Sequence, residues 1–303
     1  MPRQHHEAAP DVVAFRKNTE DFTYMVRRPN AAWDDTAEFA DAGMSTYPAA
    51  IHGPDPVPDW VITSGDARDE DLGSLKSGKE ADVSIVERTY GEQRNLLAAK
   101  RYRDTDHRQF RNDAKYRMGK SMVDERTARA MKKKTATGNA AKAGLWAEAE
   151  FEVLCRLWDA GLPVPYPVQL SGTELMLEYL GDDDGAAPRL AEARPNRDLL
   201  EHLRDQAVAI LWGLAGAAML HGDLSTYNTL VVGDTLFVID LPQAAELTDV
   251  TRAAQYNSNA LDFLQRDCRN LLGYFQKKGV ATPDPDVLFS ELVATAFAPR
   301  KQT

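Results

Sequence analysis

The chain has 303 residues, 43% of them hydrophobic, which is long enough to form two lobes around a cleft. Its net charge of -10 argues against general coating of nucleic acid. No apolar run approaches the ~18 residues of a membrane span, and the N-terminus lacks the apolar core of a signal peptide. We therefore expect a cytoplasmic protein with no membrane partner. Cys155 and Cys268 lie in helical apolar patterns and predict buried thiols in a reducing compartment.

The first part of the chain differs in composition from the rest. Residues 1–56 are rich in Pro, Ala and Asp without a sustained period, so they predict a mostly disordered tail, with folded structure starting near Pro58. We expect an N-terminal lobe over residues 57–180 and a C-terminal lobe over residues 181–303.

A basic segment interrupts the predicted N-terminal lobe. Residues 101–145 hold thirteen Lys and Arg against five Asp and Glu. They predict either a solvated helix joined to a flexible loop or a basic lid that binds phosphate groups. In the second case we expect residues 120–142 to be mobile without a ligand, with Lys132, Lys133 and Lys134 contacting it.

A glycine-bearing turn separates two predicted strands. Gly73 to Lys79 matches a phosphate-binding loop, G-x-x-x-x-G-K, but Glu80 stands where that motif needs a hydroxyl. Residues 81–87 then alternate like a strand instead of opening a helix. The turn is typical of the nucleotide-covering loop of kinases, in which Gly78 permits close approach to phosphates. An ordinary hairpin turn is the alternative.

The next predicted strand ends in a lysine, Lys100, after four apolar residues. Such a lysine either lies at a solvent edge or points into a cleft, where it would bind nucleotide phosphates and need a carboxylate partner. A predicted helix over residues 146–160 offers three candidates, of which we expect Glu150 to be the partner: Glu148, Glu150 and Glu152.

The central motif is His221 to Asn228, followed by a predicted hairpin turning at Gly233-Asp234 and then by Asp240. This order matches the catalytic and metal loops of kinases, H-x-D-x-x-x-x-N and a later Asp. Asp223 would accept a proton from a hydroxyl, and Asn228 and Asp240 would offer hard oxygens to magnesium. An Asp-rich turn before a surface hairpin is the alternative.

A buried strand that ends before Gly181 predicts the hinge between the lobes. There, backbone groups of Glu178 and Leu180 would hydrogen-bond an adenine, and Val83 and Leu230 would pack on its two faces. Helices are predicted over residues 199–220 and over residues 261–275, the second closing near Gly279.

Taken together, the motifs resemble RIO-type atypical serine/threonine protein kinases, most closely the branch whose loop reads S-T-G-K-E-A-N-V. The resemblance covers about residues 60–280. It rests on Lys76-Ser77-Gly78-Lys79-Glu80-Ala81-Asp82-Val83, Ala99-Lys100-Arg101-Tyr102, Trp146-Ala147-Glu148-Ala149-Glu150-Phe151, Ala160-Gly161-Leu162-Pro163-Val164-Pro165, His221 to Asn228, Ile239-Asp240-Leu241-Pro242-Gln243 and Phe263-Leu264-Gln265-Arg266-Asp267-Cys268.

The resemblance implies an α/β (α+β), protein-kinase-like two-lobed fold, with a five-stranded antiparallel sheet lobe and a small helical lobe lacking a full activation segment. It implies use of ATP with Mg2+, or with Mn2+ as an alternative ion. By position, Asp223 is the catalytic base, Asn228 and Asp240 bind metal, and Lys100 binds phosphate beside Glu150. The turn residues Ser77, Gly78 and Lys79 cover the phosphates, and Asp240 is associated with a phospho-aspartate intermediate.

The resemblance also implies a protein substrate, which includes the enzyme itself, and a ribosomal or RNA partner through residues 101–145. The acidic total charge and the position of the tail depart from ribosome-linked members. Two alternatives stay open. One is a small-molecule phosphotransferase of the aminoglycoside or choline kinase type, and the other is an ATP-driven ribosome-assembly factor.

Overall fold

The computed structural model describes residues 43–78, 80–103, 136–182, 185–247 and 258–298. Lys79, which was predicted to contact phosphates, lies outside these ranges. So do the first 42 residues and most of the basic segment, including Lys132, Lys133 and Lys134.

The N-terminal lobe is a seven-stranded sheet built on five longer antiparallel strands. Two short strands extend it beyond the five that were expected, β1 (Gly43–Met44) at one edge and β2 (Ile51–His52) at the other. Folded structure thus begins ahead of Pro58. The sequence did not predict β1 and β2, because strands of two residues are too short to show an alternating pattern. The longer strands, in chain order, are β3 (Arg68–Ser77), β4 (Ala81–Tyr90), β5 (Gln93–Tyr102), β6 (Pro167–Ser171) and β7 (Glu174–Glu178).

Residues 43–52 form a strap that joins the two sheet edges across one face, and we call them the N-terminal strap. Its 3-10 turn buries Tyr47 against apolar side chains of the sheet. Beneath it lies Arg88, which is fully buried. Arg88 donates two hydrogen bonds to Asp69, of 2.7 and 2.8 Å, and one of 2.9 Å to Gln169. These partners supply the negative charge and acceptors that a buried guanidinium requires.

The opposite face of the sheet packs against helix α1 (Ala136–Asp159). This helix was expected to begin near Trp146, but it begins ten residues earlier, inside the basic segment, for which a solvated helix joined to a flexible loop was one of the two expectations. Residues 136–144 lack large apolar groups that would reveal helical periodicity, although their alanines favour a helix. The helix ends at Asp159, one residue before the predicted end, and is followed by Gly161, whose φ of 76° suits a left-handed closing residue.

The C-terminal lobe is mostly helical. The helices predicted over residues 199–220 and 261–275 are confirmed with shifted ends, as α2 (Arg197–Gly216) and α3 (Ser258–Lys277). A further helix, α4 (Pro285–Ala296), was not predicted. The hairpin at Gly233-Asp234 is also confirmed. The strands of this lobe and of its connection to the sheet are β8 (Gly181–Asp182), β9 (Gly185–Ala186), β10 (Met219–Leu220), β11 (Thr229–Val232), β12 (Thr235–Val238) and β13 (Ala245–Glu246).

Both cysteines carry free thiols, Cys268 fully buried and Cys155 half-buried. Burial raises the pKa of each thiol to about 12, so neither is a reactive thiolate near neutral pH. In the part of the chain that the structure describes, no helix combines the length and the apolar character that a bilayer span requires.

Candidate active site

The centre of the cleft is Lys100, near the end of β5. Alternation along this strand sends Ala99 toward the N-terminal strap and Lys100 toward α1. Lys100 Nζ lies 2.7 Å from Glu150 Oε1 and 2.9 Å from Asp240 Oδ1. The expected partner on α1 is therefore in contact with Lys100, and the same ammonium reaches the C-terminal lobe.

The charge state of Lys100 follows from these contacts. Burial alone would lower the pKa of its ammonium, but the adjacent Glu150, with Tyr102 and Asp240, outweighs this and raises the pKa well above its ordinary value. Lys100 is therefore a cation throughout the neutral range, in a largely buried part of the cleft.

Glu150 joins three parts of the structure. Besides Lys100, its Oε1 accepts the backbone N–H of Leu241 at 3.0 Å, and its Oε2 accepts the Tyr102 hydroxyl. The carboxylate is only 2% exposed, so these donors replace the water it would otherwise need. Helix α1 is thereby held to β5 and to the segment after Asp240. Sequence reasoning missed Tyr102, although it lies two residues beyond Lys100 on the same strand face.

Asp240 adopts a left-handed backbone conformation, with φ of 65°, which is uncommon outside glycine and clusters at functional sites. Its Oδ2 lies 3.7 Å from Lys76 Nζ. Burial raises the pKa of this carboxyl, but Lys100 outweighs burial, and the pKa falls to about 2. Asp240 is thus an anion throughout the neutral range.

The loop before β11 brings Asp223 and Asn228 together. The Asn228 side-chain amide donates to the Asp223 backbone oxygen at 2.9 Å and to its Oδ2 at 3.2 Å. The Asn228 backbone oxygen accepts the N–H of Ile239 at 3.0 Å. This bond places the two ends of the hairpin side by side, as the sequence predicted, with Asn228 at one end and Asp240 next to the other.

His221 shapes this loop from within. It is fully buried, its Nδ1 accepts the Asp223 N–H at 3.2 Å, and its Nε2 donates to the Ile239 oxygen at 3.1 Å. Only a neutral imidazole can accept at one nitrogen and donate at the other. Burial lowers the pKa of His221, which favours that neutral form. His221 therefore positions Asp223 and stays uncharged.

Helix α3 supports the same loop through Asp267, which accepts the N–H groups of Gly222 and Leu224, each at 2.8 Å. Burial raises the pKa of Asp267 to about 7 despite these donors. Its neighbour Arg266 donates to the Gly222 oxygen. Sequence reasoning gave Asp267 no role. The available signal was a carboxylate on the apolar face of a predicted helix.

The glycine turn is closed on itself. Ser77 Oγ donates to Asp82 Oδ1 at 2.8 Å and accepts from Arg103 at the same distance. Gly78 N–H donates to the Ala81 oxygen at 3.0 Å. Ser77 was expected to bind phosphate, yet here its hydroxyl binds its own turn.

The predicted hinge residues connect the lobes. The N–H of Glu178 donates to the Tyr166 oxygen at 2.8 Å, and the oxygen of Leu180 accepts from Ala187 at 3.0 Å. Val83 lies opposite Lys100 in the β4–β5 register and so shares its side of the sheet. Val83 and Leu230 are both half-buried.

The donor set fits a magnesium ion whose remaining ligands come from a nucleotide and water. Asp240 offers a carboxylate, and the amide nitrogen of Asn228 is turned toward Asp223, which leaves its oxygen for an ion. Within the described ranges, no three His, Cys, Asp or Glu side chains form a metal cluster by themselves.

Comparison with known proteins decides the family. The family model described as the RIO domain matches residues 85–288, which is more than half of the chain. The chain belongs to the RIO domain family. The match contains Lys100, Glu150, Asp223 and Asp240, whereas the glycine turn precedes it. The RIO resemblance found in the motifs is thus confirmed, and with it the protein-kinase-like two-lobed fold.

Several relatives of this RIO domain are named kinases. Serine/threonine-protein kinase rio1 of Dictyostelium discoideum is 31% identical over 215 residues, covering 69% of this chain and 33% of the relative. Human serine/threonine-protein kinase RIO1 is 29% identical over 218 residues, covering 72% and 35%. RIO-type serine/threonine-protein kinase Rio1 of Haloferax volcanii is 36% identical over 146 residues, covering 48% and 46%. The chain spans about a third to a half of the length of these relatives.

One solved kinase domain aligns with a TM-score of 0.42 and 12% identity, covering 66% of this chain and 60% of that one. At this distance the likeness carries no argument.

Proposed function

We propose that this chain is an ATP- and magnesium-dependent protein kinase of the RIO type, which transfers the γ-phosphate to a serine or threonine hydroxyl. The observation that carries the proposal is the position of Lys100, whose ammonium lies within hydrogen-bonding distance of both Glu150 and Asp240. In kinases, a lysine paired with a helix carboxylate, facing a metal-binding aspartate, is the arrangement required for transfer. The names of the relatives support serine and threonine as acceptors.

The nucleotide would lie between the lobes. Lys100 would bind its phosphates, while Glu150 keeps the ammonium directed into the cleft. At the other end, the adenine would pack between Val83 and Leu230, the two half-buried apolar residues. The N–H of Leu180 would donate to the base. Lys79 belongs to the same proposal by its place in the motif.

Asn228 and Asp240 would hold the magnesium ion. When bound, this ion supplies positive charge that neutralises the β- and γ-phosphates. The protein contributes ligand geometry, which the left-handed Asp240 backbone and the Ile239–Asn228 hydrogen bond fix in advance. Such preorganisation is the main catalytic resource in phosphoryl transfer.

Asp223 would act as the general base. Its backbone N–H is held by His221, and its carboxylate accepts from Asn228, so the carboxylate lies beside a proposed metal ligand. An incoming hydroxyl would lose its proton to Asp223 as its oxygen attacks the γ-phosphorus, and the bond to the β-phosphate oxygen would break.

The test is label transfer from ATP labelled at the γ-phosphate, using the full chain, with itself and a basic protein as acceptors. We expect hydroxylamine-resistant incorporation on serine or threonine that requires Mg2+ and falls at least about a hundredfold in Asp223→Asn, the contribution typical of a general base. Lys100→Ala should lower nucleotide affinity and rate. Lys277→Ala, which changes an exposed lysine in the last turn of α3, is the control. Transfer at the wild-type rate in Asp223→Asn and Lys100→Ala would refute the proposal.

A further inference from the structure

A second lysine reaches the active-site aspartate from the glycine turn. Lys76 lies in β3, directly before Ser77 and Gly78, and its Nζ is 3.7 Å from Asp240 Oδ2. Lys100 occupies the other oxygen, Oδ1, at 2.9 Å. Each carboxylate oxygen of Asp240, the proposed metal ligand, therefore faces an ammonium group. One of these groups comes from β3 and the other from β5.

The motif does not account for Lys76. In the loop that reads S-T-G-K-E-A-N-V, the position of Lys76 is the first serine, so this cation is a departure of this chain from the pattern. The lysine that the motif does contain corresponds to Lys79, three residues later. The side chain of Lys76 is 50% exposed and could lie in solvent, yet it extends across the cleft to Asp240.

The contact between Lys76 and Asp240 is weak enough to exchange. Half-exposed ion pairs at such a distance contribute little, because water screens them and ordering a long side chain costs entropy. A magnesium ion on Asp240 would repel the Lys76 ammonium. The same event would bring phosphate oxygens, which carry more negative charge than one carboxylate, to within reach of Lys76.

We propose that Lys76 is a phosphate-contacting residue, which rests on Asp240 before the nucleotide binds and moves to the terminal phosphate of ATP when metal takes its place. The terminal phosphate is the assigned target because Lys76 faces Asp240, where the metal would bridge the β- and γ-phosphates. Lys100, on β5, would keep the inner phosphates. Lysine suits this role because its ammonium binds phosphate as a compact charge with freely rotating donors.

The move would also connect the described residues of the turn to the ligand. Lys76 adjoins Ser77, whose hydroxyl is bound to Asp82, and that carboxylate is in turn held by Arg103. Ser77, Asp82 and Arg103 therefore form one connected unit, to which a contact from Lys76 to the terminal phosphate would tie the ligand. ADP, lacking that phosphate, would leave Lys76 on Asp240 or in solvent.

The experiment measures the affinities of ATP and ADP by calorimetry with Mg2+ present. It rests on the proposed function, and wild-type protein that binds neither nucleotide would refute that function first. In Lys76→Ala we expect ATP to bind about tenfold more weakly, the loss of one charge-assisted contact, while ADP affinity stays within about twofold. Lys76→Arg should restore most of the ATP affinity, and Lys277→Ala should change neither nucleotide.

The ADP measurement distinguishes the loss of one phosphate contact from misfolding, because a damaged cleft would bind both nucleotides more weakly. If wild-type protein binds ATP but Lys76→Ala leaves the ratio of ATP to ADP affinity unchanged, Lys76 does not contact the terminal phosphate and the inference is overturned.

Discussion

Gly222 approaches Gln243 so closely that a Cβ atom on Gly222 would lie 2.6 Å from the Gln243 backbone oxygen. Gly222 also has a φ of 84°, which disfavours every side chain. The position immediately before Asp223 therefore admits only glycine, for two separate reasons.

We expect Gly222→Ala to lower the free energy of unfolding by more than the roughly 1–2 kcal/mol of the left-handed conformation alone, because the Gln243 segment must also move. Phosphate transfer should be lost with it. The matched control is Gly233→Ala, at the hairpin turn, where φ is 59° and no atom lies within 4 Å of an added Cβ. Denaturant unfolding and label transfer measure both variants. Equal losses in the two would mean that the contact with Gln243 is unimportant.

The interactions of Glu150 predict a loss of both stability and nucleotide binding. Glu150→Gln keeps the shape but removes the charge beside Lys100, a buried cation that would keep only Asp240 as its ionic partner. We expect unfolding to become easier by about 1–3 kcal/mol and nucleotide affinity to fall about tenfold. The control is Glu152→Gln, which changes an exposed residue on the same helix. Its free energy of unfolding should stay within about 0.5 kcal/mol of the wild-type value. Similar values for the two variants would show that Glu150 has no special role.

His221 predicts how stability depends on pH. Its folded pKa is lowered below the ordinary 6.5, because burial favours the neutral ring. In the unfolded chain His221 therefore binds a proton near pH 6.5, whereas in the folded chain it binds that proton only at lower pH. The contribution of a neutral His221 to the free energy of unfolding is complete above pH 6.5. It is lost as the pH falls toward the pKa of His221 in the folded chain.

Unfolding free energies measured from pH 8 to pH 5 test this sign. The wild type should lose stability more steeply than His221→Gln below pH 6.5, by up to about 1.4 kcal/mol per pH unit. Comparison with the variant cancels the other titrating groups. Parallel curves would contradict a buried neutral His221.

Substitutions of the two active-site aspartates should have different effects on labelling of the chain by γ-labelled ATP. If Asp240 itself receives the phosphate, its carboxylate oxygen attacks the γ-phosphorus and ADP leaves, a step that requires no base. Asp223→Asn would then stop turnover but retain label on Asp240, whereas Asp240→Asn would lose both. Hydroxylamine cleaves acyl phosphates and spares phosphoserine. Label that survives hydroxylamine in Asp223→Asn would identify an ordinary hydroxyl acceptor and leave Asp240 with a metal-binding role alone.

The sequence predicted the parts of the site whose spacing is local. Asp223 and Asn228 share one loop, and the Gly233-Asp234 turn dictates that the hairpin returns beside them. The pairing of Lys100 with Glu150 joins residues fifty positions apart. Spacing alone left three glutamates open, and the family motif selected one of them.

Contacts that depend on packing were not predictable in this way. Arg88 looks like a surface residue of an alternating strand, and its burial is made tolerable by partners from other segments, among them Asp69, Gln169 and the covering Tyr47. Lys76 likewise lies at the end of β3, in a stretch whose pattern says nothing of Asp240. Both depend on distant segments meeting, which local periodicity does not encode.

The N-terminal strap has a consequence for the order of folding. Ile51 pairs with Leu170, on a strand that is made more than a hundred residues later, whereas β3 and β4 meet across a short turn. Local hairpins form early, and distant pairings must overcome a larger loop-closure entropy. As the chain emerges from the ribosome, β1 can pair early with β3, whereas Ile51 and His52 must wait for β6. Until then, Val86 and Leu97 lack the partners from β6 and β7 that complete the apolar cluster under Tyr47, and the growing lobe exposes an apolar face of the kind that chaperones bind.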